Sequence, residues 1–271
     1  MAVCADVQSL FENKEITMPK LLINADDFGL NPEVNEAIIR LLKDGRIQRT
    51  TLMVGMPYAE DAVKLLNDNN LNRGGRIGLH LNVGDGPALT EGIRNSEYCT
   101  DGEFNDSYEY YRFTRLYLSP RRRRLVKEEL SAQFEKYKEL LGHYPEHVDG
   151  HRHFHNLLPY LFIVMDLAKK YGVKSMRIPI NLYDRTEAGF FKKAYKRVVV
   201  GLVKRNFRST DYMGSFYEYS DWYNDSDDKT VEIMVHPTIK NGKIVDINFD
   251  NPVTDYVDFD LIKKNKLWNM K

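Results

Sequence analysis

Cysteine is nearly missing from this sequence. Cys4 and Cys99 are the only two in 271 residues, too few for a disulfide framework or a multi-thiolate zinc site. A reducing compartment, the cytoplasm, is therefore expected. Surplus charge is missing too: Lys plus Arg (39) equals Asp plus Glu (39). A non-specific nucleic-acid binder needs a basic excess, so nucleic acid is not an expected partner. No stretch approaches the ~18 uncharged apolar residues that mark a membrane span. The most apolar run, 157–165, contains Pro159 and reads as a buried helix. Residues 1–17 carry Asp6, Glu12 and Glu15 and lack the basic start and apolar run of a signal peptide. Neither a fixed-period repeat nor a low-complexity linker is visible. The simplest organisation is an N-terminal extension over 1–17 and one domain over 18–271.

What the chain does contain is alternation of strand and helix patterns. The apolar run at 20–25 reads as a first strand. Asn31 as N-cap, Pro32 at the first helical position and Gly45 beyond the end then bracket a helix, whose stripe is Val34, Ala37, Ile38, Leu41 and Leu42. Further strands are expected at 50–54, 76–83, 147–151, 173–178, 211–216 and 230–235. Helices are expected between them, including one opened by Ser119-Pro120 and closed by Gly142. A polar, Gly-rich stretch from 84 to about 107 reads as a long loop, and Asn241-Gly242 as a hairpin turn. A last helix is expected at 257–267. Alternation of this kind implies a parallel sheet with crossover helices. About seven strands could close into a barrel or stay open.

Two basic segments read as ordinary surface. The Arg121–Arg124 run reads as a solvated helix face whose position opposes the helix macrodipole and so favours a nearby anion. The helix at 190–207 reads as an outer helix. Apolar residues on such helices make a homodimer plausible. Tyr108, Tyr110, Tyr111, Trp222 and Tyr223 are candidates for stacking on sugar faces, but read first as core or surface aromatics.

The chemistry lies in where the ionisable residues fall. Asp26 and Asp27 follow the first strand and His80 ends the third. Asp149, His151, His153 and His155 follow the fourth, Arg177 ends the fifth and His236 ends the seventh. Ligands of parallel α/β folds bind at the carboxyl ends of strands, so five strands deliver acids, imidazoles and a guanidinium to one rim. A carboxylate and two imidazoles make a three-ligand set for a divalent ion. A second carboxylate beside them can act as a base. The Asp149-x-His151 spacing suggests a carboxylate supporting an imidazole.

Five motifs carry a family resemblance: 21–29 (LLINADDFG), 78–83 (GLHLNV), 147–155 (HVDGHRHFH), 176–179 (MRIP) and 232–237 (EIMVHP). Together, in this order, they resemble the YdjC-like carbohydrate deacetylases, which include chitooligosaccharide deacetylases. The resemblance implies an α/β fold: a single-domain (β/α) barrel of about seven parallel strands, like that of the polysaccharide deacetylases. It implies that Asp27, His80 and His151 bind one divalent metal ion, magnesium or zinc. It further implies that Asp26 is the catalytic base, His236 the general acid and Arg177 the group that orients Asp26. His153 and His155 match the family's His-rich motif without an assigned role. The expected reaction is removal of an N-acetyl group from an amino sugar or short oligosaccharide. A metal-dependent phosphoesterase and a non-catalytic carbohydrate-binding protein are the alternatives.

Overall fold

Strand β1 (Leu21–Phe28) is buried along its whole length, the pattern of a central parallel strand covered on both faces. It leads into α1 (Pro32–Lys43), where Asn31 accepts a hydrogen bond from the Val34 N–H and Pro32 opens the first turn. These are the start signals expected, and the stripe Val34, Ala37, Ile38, Leu41 and Leu42 is buried. Then come β2 (Arg49–Leu52), α2 (Ala59–Asp68) and β3 (Ile77–Leu81). The computed structural model describes residues 21–72, 75–105, 116–182, 189–215, 218, 229–247 and 251–252.

The polar stretch after β3 is more ordered than a bare loop. It contains α3 (Glu91–Arg94) and a small hairpin of β4 (Cys99–Thr100) and β5 (Glu103–Phe104). Helix α4 (Pro120–Leu141) follows, capped by the Ser119 side chain and ended by Gly142 at φ 81°. Its basic first turn finds its anion in Glu97, which accepts from Arg121 and Arg122 at 2.9 Å each. Next come β6 (His147–Gly150), a 3-10 turn over His151–Asn156, α5 (Leu158–Lys170), β7 (Ser175–Met176), α6 (Phe190–Asn206), β8 (Tyr212–Gly214) and β9 (Val231–Val235). The hairpin of β10 (Pro237–Lys240) and β11 (Lys243–Asp246) turns at Asn241 and Gly242, both at positive φ, and β12 (Asn251–Pro252) pairs with β11. The expected extension over 1–17, the five candidate stacking aromatics and the expected last helix lie outside the described residues.

Strands β7-β6-β3-β2-β1-β9-β8 form one sheet in that order, and every neighbouring pair is parallel. The sheet curls into a half-barrel. Its two edges are joined where Met176 N donates to Arg208 O and Arg208 N donates to Lys174 O, both at 3.0 Å. Side chains alternate across each strand. Ile23 and Ala25 belong to the apolar core. Asn24 and Asp26, which alternate with them, join a buried set with Arg49, Thr51, His80, Asp149, Arg177 and Glu232. The inner face of the curl is thus largely polar.

Gly78 allows this face to form. A Cβ there would lie 2.7 Å from Thr51 Cγ2 and 3.0 Å from His147 Cδ2. Gly78→Ala is expected to destabilise the fold by about 1–3 kcal/mol through overpacking, measured by urea denaturation. An unchanged midpoint and slope would show that the neighbours give way freely.

Candidate functional site

The first strand does not end before the paired aspartates, as 20–25 would have had it; it runs through them. Ala25 pairs with Thr50 and Phe28 with Leu52, so β1 carries one extra residue against β2. This is a β-bulge, and Asp27 within it has φ 64°. Asp tolerates the left-handed region better than most residues. Without the bulge, adjacent side chains would point to opposite faces. With it, both Asp26 and Asp27 reach His80. The exit is fixed by Asn35 of α1, which accepts from the Gly29 N–H at 2.7 Å and donates to Tyr58 O at 3.0 Å.

Asp27, His80 and His151 converge as expected, with potential ligand atoms within 4.8 Å of one another. Asp27 Oδ1 lies 3.2 Å from His80 Nε2 and 2.8 Å from His151 Nδ1. The support for His80 corrects the sequence reading. Asp149 Oδ1 meets His80 Nδ1 at 2.7 Å, on the neighbouring strand β3, rather than His151 two positions along. In a parallel pair, cross-strand neighbours share a face, whereas His151 has already left β6. His151 instead turns its Nε2 to Asp85.

Arg177 lies just beyond β7 and is buried. It donates to both oxygens of Asp26 at 2.6 and 2.7 Å. It also lies 2.8 Å from Asp149 Oδ2 and 2.6 Å from Glu232 Oε1. Arg49 meets the same Glu232 oxygen at 2.8 Å and donates to Asn24 at 2.6 Å. Thr51 donates to Asp149 at 3.2 Å. Sequence reasoning missed Arg49, Asn24, Glu232 and Asp85. A signal for Asn24 and Glu232 existed, since each is a polar residue inside an apolar strand, whereas Arg49 lies just before the strand expected at 50–54.

His236 follows β9 and is braced by the hairpin, its N–H donating to Asp246 at 3.1 Å. Its Nε2 stands 3.9 Å from Asp26 Oδ2. His153 and His155 lie outside the Asp27–His80–His151 trio. Burial, then the charge of Arg177, pushes the His153 imidazole down to about 3. Burial, then His153, holds His155 well below the usual range. Both are neutral.

The charges decide what the trio can hold. Burial would raise both aspartates, but Arg177 outweighs it at Asp26 and the hydrogen bonds to His151 and His80 outweigh it at Asp27. Both carboxylates are ionised. Burial would lower His80, yet Asp149 first and Asp27 next lift it to about 10. His151 is raised against burial by its hydrogen bonds to Asp27 and Asp85. Among the described residues, Asp26, Asp27, Asp149 and Glu232 face two guanidiniums, Arg49 and Arg177, across this set. The missing positive charge is supplied by protons on the imidazoles or by a cation. One carboxylate and two imidazoles are a fitting donor set for a divalent ion.

Comparison with known proteins identifies the family. The profile of the YdjC-like protein family matches residues 20–267. A carbohydrate deacetylase of Halalkalibacterium halodurans is 30% identical over 230 residues, 80% of this chain and 84% of that protein. One from Clostridium beijerinckii is 29% identical over 83% of this chain and 84% of its own. One from Vibrio cholerae is 38% identical over 57% of each. A solved Enterococcus faecalis structure, described as a candidate cellobiose-phosphate cleavage protein, superimposes with a TM-score of 0.63. It covers 83% of both chains at 23% identity, a likeness of fold.

A divalent ion must displace the protons that the free site holds on its imidazoles. Because His80 is raised to about 10, affinity is expected to climb with pH through the neutral range. Calorimetry in two buffers of different ionisation enthalpy should show net proton release as the ion binds. Binding without proton release would contradict the charge assignment.

Proposed function

Since this chain belongs to the YdjC-like family, we propose that it is a metal-dependent carbohydrate deacetylase acting on a small N-acetylated sugar. One observation supports this above the others: the Asp27–His80–His151 trio lies beside Asp26, which Arg177 clamps, with His236 across from it. Asp27, His80 and His151 would hold the ion. Two imidazoles suit zinc better than magnesium, which prefers an all-oxygen shell. When bound, such an ion polarises an acetyl carbonyl and lowers the pKa of a water.

The chain's own residues divide the remaining work. Asp26 is the proposed base. Arg177 holds both of its oxygens, fixing the direction of its free lone pairs and keeping it ionised. The same contact makes it a weak base, so its contribution depends on position rather than proton affinity. His236 is the proposed acid that protonates the departing amine, which is otherwise a poor leaving group. It is the more open of the pair, its side chain 18% exposed against 2% for Asp26, as contact with a leaving group requires. Arg177 is a positioning residue. The scarcity of cysteine supports work in the cytoplasm.

Acetate release from a panel of N-acetylated sugars, with and without chelator, tests the activity. No release from any sugar in the presence of Zn(II) or Mg(II) would sink it. Asp26→Asn should keep the ion while kcat falls about 10²–10⁴-fold. Asp27→Asn should lose affinity for the ion instead. His236→Ala should retain the ion and lose turnover. A normal kcat in Asp26→Asn would remove it as the base.

A further inference from the structure

The two imidazoles of the trio face it through different ring nitrogens. His80 presents Nε2 to Asp27 and turns Nδ1 to Asp149. His151 presents Nδ1 to Asp27 and turns Nε2 to Asp85. A metal-ligating histidine keeps its tautomer and ring orientation through the hydrogen bond made by its other nitrogen. We propose that Asp85 is the positioning residue of His151, fixing it as the Nε2–H tautomer so that it binds a metal ion through Nδ1. This role presupposes the metal-dependent reading of the site.

Asp85 is held in place by a connected set of buried groups. Its N–H donates to Asn82 Oδ1 at 3.1 Å, and its carbonyl accepts from Asn82 Nδ2 at 2.5 Å. Asn82 is in turn gripped by Gln133 of α4, which accepts from Asn82 N at 2.9 Å and donates to Asn82 O at 2.6 Å. Gln133 donates to Glu129 at 3.1 Å, and Glu129 also accepts from Thr90 N at 2.9 Å. Gly86 completes the turn at φ 66°, where a Cβ would fall 2.6 Å from Met56 Sδ. On the other side, Arg152 donates to Asp85 Oδ1 at 3.0 Å, leaving Oδ2 for His151. Arg152 itself sits at φ 51°, a left-handed conformation that carries strain for a long side chain. So many constraints on one turn are not needed for a surface carboxylate; they are what aiming a single oxygen requires.

Long-range proton–nitrogen NMR of the full chain loaded with Zn(II) reads the tautomers directly, without any variant. The expected result is His80 with Nδ1–H and Nε2 bound, and His151 with Nε2–H and Nδ1 bound. A His151 bound through Nε2 would overturn the proposal. Competition with a chelator then measures Zn(II) affinity. Asp85→Ala should weaken it about 10–100-fold, the usual effect of losing an outer carboxylate, and Asp85→Asn should weaken it less. The His80 tautomer should not change in either. Wild-type Zn(II) binding with unchanged affinity in folded Asp85→Ala would remove the Asp85 role alone. A wild type that binds no Zn(II) would instead remove the metal-dependent reading, and this role with it.

Discussion

The structure depends on one buried guanidinium. Arg177 is buried and is answered by Asp26, Asp149 and Glu232. Desolvating a charge costs several kcal/mol unless geometry and hydrogen bonds offset it, and here each of its nitrogens has a carboxylate oxygen within 2.8 Å. Those three carboxylates come from β1, β6 and β9. The arginine therefore ties the centre of the sheet to strands on either side. Asp149 then passes the constraint to His80, and Asp26 sits next to Asp27. Fold and site are joined through the same atoms.

The inner face explains why the sheet can be polar without being open. Arg49 and Arg177 share Glu232, and Asn24 bridges Arg49 and Asp26. In such a network a missing partner costs more than the pair contributes, because the remaining charge is left buried. The apolar core lies on the other side of the strands, against the helices, where Ile23, Ala25, Leu79 and Val148 alternate with the polar set.

Much of this was legible in the sequence. The alternation of strand and helix, the caps of α1 and α4, and the rim positions of Asp27, His80, His151, Arg177 and His236 follow from local pattern. What was not legible depended on register. The end of β1 was hidden because a bulge is a relation between two strands, and nothing in LLINADDFG alone reveals its partner's spacing. Asp149 was assigned to the wrong imidazole for the same reason: sequence distance favoured His151, whereas strand pairing places it beside His80. Asp85 went unnoticed because a Gly-rich segment reads as a loop, and the Gln133 that braces it is 51 residues from Asn82. The expected sheet of about seven parallel strands is present as a curled half-barrel, and its short edge strands β7 and β8 were the hardest to place because so few residues pair in each.

The contact between Asp26 and Arg177 also joins parts of the chain that are made far apart in time. These residues are 151 positions apart, and Glu232 comes later still. During synthesis Asp26, Asp27 and Asp149 emerge before a full set of counter-charges exists. A sheet formed from the early strands alone would bury carboxylates without their guanidinium.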